Sequence, residues 1–175
     1  MTRRNSDERG TPAYIIEGAR EVMGGIDTDP ASCAKANRIV KAERYYDKGD
    51  DGLKQPWYGN VWLNPPFSQP LCQRFIGKLI SEWAKCNTYQ AIVLVNVSTG
   101  RWYHKLLRTF PVVYPKHHEL HPNARIEFNP LPGNNRGTDN NSRGQAIFYL
   151  GPDKHRERFN TVFGRCGTIP GRPCP

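Results

Sequence analysis

Three observations predict an α/β protein with a mostly parallel sheet. Helical and strand patterns alternate through the first two thirds of the chain, which is the signature of α/β layering. Residues 91–97 form a near-continuous apolar run rich in β-branched side chains, as expected of a central strand buried on both faces. The last strand patterns lie closer together, which predicts antiparallel pairing at one edge of the sheet near the C-terminus.

Taken in order, Thr11-Pro12 predicts a helix start, with Thr11 as N-cap and Pro12 at the first helical position. Ile15, Ile16, Ala19, Val22 and Met23 recur at helical spacing, and Gly24-Gly25 ends the run. Ile26-Asp27-Thr28-Asp29 reads as a short strand broken at Pro30. A helix over 31–42, a brief strand at Tyr45-Tyr46 and a turn at Asp50-Asp51-Gly52 follow. Val61-Trp62-Leu63 is a further strand. Pro70 opens a helix whose apolar stripe is Leu71, Phe75, Ile76, Leu79, Ile80 and Trp83. Beyond the 91–97 strand come a helix over 100–109, strands at 112–114, 125–128 and 145–150, and a helix over 153–163. Asn129-Pro130-Leu131-Pro132 and the Gly/Asn-rich stretch 133–144 read as loops, the second a mobile one. The expected organisation is an arm at 1–9, one domain at 10–163 and a frayed tail at 164–175.

With 175 residues the chain suits one domain with a real core. A formal net charge of +9 favours a polyanionic partner, nucleic acid first. The plainer alternative is a basic protein that tolerates its charge. The cations are spread along the chain, which suits a surface that follows phosphates. The five cysteines are odd in number and contain no C-x-x-C, which fits a reduced intracellular protein. No apolar run reaches the roughly 18 residues of a membrane span, and residues 1–9 hold no apolar leader segment. A cytoplasmic protein without a membrane partner is expected, and no obligatory protein partner is evident.

Asn64-Pro65-Pro66-Phe67 is the most informative segment. Two prolines fix two φ angles and remove two backbone donors, and they push Asn64 into extended backbone. An amide then stands on one side of a stiff corner and an aromatic ring on the other. Such a corner suits a flat base with an exocyclic amino group: the Asn64 oxygen and a nearby carbonyl accept the amino hydrogens while Phe67 stacks. Taken alone, the tetrapeptide also reads as a simple turn. Its position, after a buried strand and before an amphipathic helix, is where open α/β sheets hold ligands. Asp27 and Asp29 end the first strand, and Asp50 and Asp51 stand in a turn. Carboxylates there hold ribose hydroxyls or a cationic amine. The competing readings are a helix cap for Asp29 and a plain turn for Asp50-Asp51-Gly52.

Several segments in this order resemble the phage-type DNA N-6-adenine methyltransferases. They are Thr11-Pro12, Asp27-x-Asp29-Pro30-Ala31-Ser32, Asp51-Gly52-Leu53 with Trp57, and Val61 through Ser68 around the proline corner. Trp102 with His104, and Arg125-Ile126-Glu127-Phe128, are further points of similarity. The resemblance covers roughly residues 10–150. It implies a doubly wound, Rossmann-like methyltransferase sheet with helices on both faces. It also implies S-adenosylmethionine as cofactor and methylation of adenine N6 in DNA, by base flipping from a duplex. It assigns Asn64, Pro65, Pro66 and Phe67 to catalysis and Thr11, Pro12, Asp27, Asp29, Ala31 and Asp51 to the cofactor. The chain has Asp-Pro-Ala-Ser where many methyltransferases carry a glycine-rich loop. Cytosine N4, RNA adenine or a protein glutamine would suit the same corner. A catalytically silent DNA-binding module is the alternative from another class.

For phosphate contact the candidates are Arg101, Lys105 and Arg108 at helical spacing, with Arg136 and Arg143 in the loop. Each also reads as an ordinary solvated cation. His117, His118 and His121 cluster between Pro115 and Pro122, a context that disfavours the long helix their spacing would need as a metal site, so no metal is expected.

Overall fold

The computed structural model describes residues 9–115, 126, 128–130 and 143–170. Among these, β1 (Arg9–Gly10) is followed by α1 (Ala13–Met23), β2 (Thr28–Asp29), α2 (Ala34–Val40), β3 (Arg44–Tyr45) and β4 (Gly59–Leu63). Then come α3 (Leu71–Ala84), β5 (Thr88–Asn96), α4 (Arg101–Thr109), β6 (Val112–Pro115), β7 (Asn129–Pro130) and β8 (Gln145–Leu150). A 3₁₀ turn (Asp153–His155), α5 (Arg156–Gly164) and β9 (Gly167–Thr168) complete them.

The fold is mixed α/β around a seven-stranded sheet of order β3-β2-β4-β5-β8-β6-β9. β3, β2, β4 and β5 are successive parallel neighbours. β8 is antiparallel to both β5 and β6. The expected antiparallel edge near the C-terminus is present as β9 against β6, but antiparallel pairing also reaches inside the sheet, where β8 lies between two strands of common direction, so the sheet is mixed. Burial explains the position: every residue of β8 is buried, and an edge would expose it. Gly167–Thr168, expected in a frayed tail, pairs with Tyr114 and Pro115. Asn129–Pro130, expected as loop, pairs with Arg9–Gly10. Ile126 and Phe128 lie outside any strand, whereas 125–128 was expected to form one.

Alternation along β5 divides the core. Ile92 and Leu94 join Ile16, Val22, Phe159 and Phe163 on one face. Ala91, Val93 and Val95 join Phe75, Leu79, Tyr103 and Leu106 on the other. Helices α1 and α5 thus cover one face and α3 and α4 the other, as the apolar stripes required. No helix among the described residues is long and apolar enough to cross a membrane.

The turn at 50–54 is fixed from two sides. Trp57, fully buried, donates from Nε1 to the Gly52 carbonyl at 2.7 Å. A Cβ on Gly52 would stand 2.0 Å from the Pro30 carbonyl oxygen. Only glycine permits this approach, which brings the turn against the end of β2. Gly52→Ala is expected to destabilise the protein by about 1–3 kcal/mol through overpacking against backbone. Chemical denaturation measures this; an unchanged midpoint would contradict the packing described.

Candidate active site

β2 ends at Asp29, β4 at Leu63 and β5 at Asn96. The strands run parallel, so their carboxyl ends share one rim, where open α/β sheets bind ligands. β8 runs the other way and starts on that rim, with Gln145 opposite Asn96. Helix α1 reaches the same rim with its N-terminus, because Asn64 Nδ2 donates to Thr11 Oγ1 at 3.0 Å. Its far end is tied to the opposite side, where Met23 O accepts from Gln90 and Asn60.

The proline corner follows β4 directly. Pro65 is buried, while Asn64, Pro66 and Phe67 are half-buried. The corner is therefore not sealed in the core. Asn64 Oδ1, however, is out of contact with water and has no hydrogen-bond partner among the described residues. An unmet buried acceptor costs about 1–3 kcal/mol, which an incoming donor recovers. The Phe67 ring meets Phe128 edge-on, with centroids 5.8 Å apart. Two residues before Phe128, the Ile126 N–H donates to Gln145 Oε1 at 3.0 Å. Gln145 Nε2 in turn donates to Asn96 Oδ1 and to the Arg143 carbonyl. Gln145 was not singled out in the sequence; a polar residue opening an apolar strand was its one signal.

Asp29 lies at the end of β2, on the rim, and is 3 % exposed. Burial pushes its carboxyl up from 3.8 to about 6, and the Ala31 N–H, 3.2 Å from Oδ1, offsets part of the rise. The Ser32 hydroxyl also favours the ionised form, but Oγ makes no aligned hydrogen bond. It is better described as a polar neighbour than as a bonded partner. Asp29 does not cap the next helix, since α2 starts only at Ala34 behind Cys33. Pro30 and Ala31 continue along the rim, with the turn carrying Asp51 packed on Pro30 through Gly52. Asp51 itself is in left-handed backbone (φ 51) and pairs with Lys54 at 3.2 Å.

Not every expected residue joins this group. Asp27 precedes β2, at the opposite end of the strands, where its Oδ2 accepts the Asn60 N–H at 2.6 Å. It also lines a separate cavity of about 320 Å³ with Thr28, Glu43, Arg44, Tyr58 and Gly59. Two residues of strand, roughly 6–7 Å, separate it from Asp29. Thr11 does not cap α1, which has Pro12 at the N-cap position and no side-chain cap bond. Its hydroxyl is engaged by Asn64 instead. Arg136, Arg125, Glu127, His117, His118 and His121 lie outside the described residues. Arg101, Lys105, Arg108 and Arg143 are exposed. No group of His, Cys, Asp or Glu among the described residues is arranged to hold a metal.

Electrostatics on the rim favour anions. Helices α1, α3 and α4 each start there without an acidic residue in the first turn or a side-chain cap bond. The aligned peptide dipoles of these helices give that end a positive field. Arg101 opens α4 and exposed Arg74 is the fourth residue of α3, although cations oppose the field at those positions. Arg74 was also missed in the sequence; a cation in a first turn was the available signal.

An α/β protein with its candidate site residues gathered beyond the carboxyl ends of parallel strands is the class these features define. The chain belongs to the DNA N-6-adenine-methyltransferase (Dam) family, whose model matches residues 1–165. A protein of Escherichia phage T1 described as a DNA N-6-adenine-methyltransferase is 30% identical over 95 residues. That match covers 53% of this chain and 37% of the phage protein, so the chain spans well under two thirds of that relative. No solved structure matches the chain.

The raised Asp29 carboxyl has a thermodynamic consequence. Between pH 3.8 and about 6 the folded chain holds a proton that the unfolded chain has released. Stability therefore falls as pH rises through that window, and the loss is complete above it. At 1.36 kcal/mol per unit the loss amounts to about 3 kcal/mol. Asp29→Asn is expected to raise the melting temperature of the ligand-free protein at about pH 7.5, with the gain shrinking towards about pH 4. Scanning calorimetry across pH checks it; a variant less stable than the parent at neutral pH would contradict the assignment.

Proposed function

We propose that this protein methylates the N6 amino group of adenine in double-stranded DNA, using S-adenosylmethionine, after the base leaves the helix for the Asn64-Pro65-Pro66-Phe67 corner. The observation that carries this reading is the covered, unmatched Asn64 Oδ1 beside a half-buried aromatic ring. Membership of the Dam family supports it.

The residues on the rim fit the cofactor. Asp29 is a buried carboxylate without a cationic partner among its described hydrogen bonds, and Ser32 Oγ is a second unmatched polar atom. Both suit ribose hydroxyls or an ammonium group. Asp29, Ala31 and the turn with Asp51 would hold the nucleoside portion, and the backbone of Thr11 and Pro12 the amino-acid end. When bound, the cofactor supplies a methyl group already activated by its sulfonium charge. The doubly wound, Rossmann-like methyltransferase reading of the fold rests on helices covering both faces of the sheet.

The amino group of adenine is a weak nucleophile because its lone pair is delocalised into the ring. Asn64 Oδ1 and the Pro65 carbonyl accept its two hydrogens and favour a pyramidal nitrogen with an exposed lone pair. The two prolines keep both acceptors in place and offer no competing N–H. As the nitrogen gains its methyl group it gives up one of those protons, which passes out to solvent. Phe67 stacks on the base and is braced by Phe128. Stacking returns roughly 1–3 kcal/mol of the unstacking energy. Because Oδ1 is covered, entry of the base requires local opening of the corner. Phosphates bind Arg101, Lys105 and Arg108 along α4, Arg74 on α3, and Arg136 and Arg143 of the 133–144 stretch. Such an enzyme works in the cytoplasm, where the DNA is.

Asn64→Ala is expected to abolish methyl transfer to DNA while leaving the melting temperature within a few degrees of the parent. Near-normal turnover by the purified variant would refute the role of the corner. Neutralising Arg101, Lys105 and Arg108 together is expected to weaken DNA binding on all sequences and to flatten its salt dependence by about one log–log unit per lost phosphate contact. Titrations at several salt concentrations measure this, and an unchanged slope would remove α4 from the interface.

A further inference from the structure

The two ends of the Asn64 amide are chemically opposite, one a double donor and the other an acceptor. Which end meets a base decides whether the corner takes an amino group or rejects it. The geometry points to Thr11 as the positioning residue that fixes this polarity, keeping Asn64 Oδ1 as the acceptor and so selecting a base with an exocyclic amino group. The inference rests on the proposed function and deepens it.

Four observations carry it. Asn64 Nδ2 donates to Thr11 Oγ1 at 3.0 Å, across 53 residues of chain. Oδ1 is covered and unmatched. Thr11 is only 6 % exposed and makes no cap bond to α1, so its hydroxyl is not diverted to the helix. Its position is rigid: Pro12 follows it, and Ile15, Ile16 and Ala19 bury the next turns of α1. A threonine also has few χ1 choices, so the hydroxyl points consistently.

A hydroxyl can donate or accept, and the balance of unmet groups settles the direction. With the amide reversed, the hydroxyl would donate to the oxygen and both N–H groups would face a site without an acceptor. Buried N–H groups are left unmet more rarely than carbonyl oxygens. The observed polarity leaves one N–H and the oxygen open instead of both N–H groups, and the oxygen is the group an amino hydrogen needs. An aspartate at position 64 would have two equivalent oxygens and no polarity to fix. The Thr11 contribution should therefore depend on which residue stands at 64.

The test uses the full chain with S-adenosylmethionine and duplex DNA, comparing the parent, T11V, T11S, N64D and T11V/N64D. T11V is expected to lower kcat at least about tenfold, with KM for DNA and calorimetric Kd for the cofactor within about threefold. T11S is expected to restore kcat to within about threefold of the parent. In the N64D background the T11V change is expected to move kcat less than about threefold. Equal losses in both backgrounds, a parallel loss of cofactor binding, or parental kcat in T11V would overturn the proposal. A second readout does not depend on turnover. In the ligand-free protein, the Asn64 side-chain amide protons should give exchange-protected signals in nitrogen-edited NMR, and T11V should remove that protection. Protection that persists in T11V overturns the proposal even if DNA is no substrate or N64D is inactive. A parent that binds no cofactor and methylates no DNA, yet shows the T11V-sensitive protection, overturns the proposed function and leaves the Thr11 contact standing.

Discussion

The parallel register of β2, β4 and β5 is the constraint on which the candidate site depends. Thr28 pairs with Val61, and Val61 with Ala91, so Asp29, Asn64 and Asn96 leave the sheet on the same rim. A slip of one residue in β4 would turn Val61 and Leu63 out of their core and Trp62 out of the other. Burial on both faces forbids that slip. The site therefore inherits its precision from packing far from any reacting atom. Trp57 and Gly52 extend the same logic to the turn at 50–54, which they press against Pro30.

Several unfavourable features lie on that rim. A buried carboxylate, an unmatched amide oxygen, an unmatched hydroxyl and helix starts without capping side chains all lie there. Each lowers the stability of the ligand-free protein, and each is relieved by a ligand that donates hydrogen bonds or brings negative charge. The opposite end of the sheet is built differently. There Asn60, Gln90, Met23 O and Tyr149 satisfy one another in a closed polar network. The contrast separates an end built for stability from the end that carries the proposed ligand site.

Much of this was legible in the sequence because periodicity and punctuation are local. The stripe of α3, the strand at 145–150 and the helix ended by Gly24 stand where the pattern put them. Two-residue strands such as β7 and β9 have no period to read, so their pairing was missed. Strand order is not local either, and β8 could not be seen to lie inside the sheet. The placement of the proline corner and of Asp29 at the carboxyl ends of parallel strands was legible from residue type and position. Asp27 was misread because two carboxylates two residues apart look alike until the strand direction separates their environments. Thr11 was read as a cap because its bond to Asn64 spans 53 residues.

The proposed function predicts one chemical event, the appearance of a methyl group on an exocyclic base nitrogen. Isotope-labelled S-adenosylmethionine incubated with the protein and duplex DNA, followed by mass spectrometry of the digested nucleosides, reads that event directly. The account predicts label in N6-methyladenine. Label confined to N4-methylcytosine, or bound cofactor with no labelled nucleoside, would contradict it.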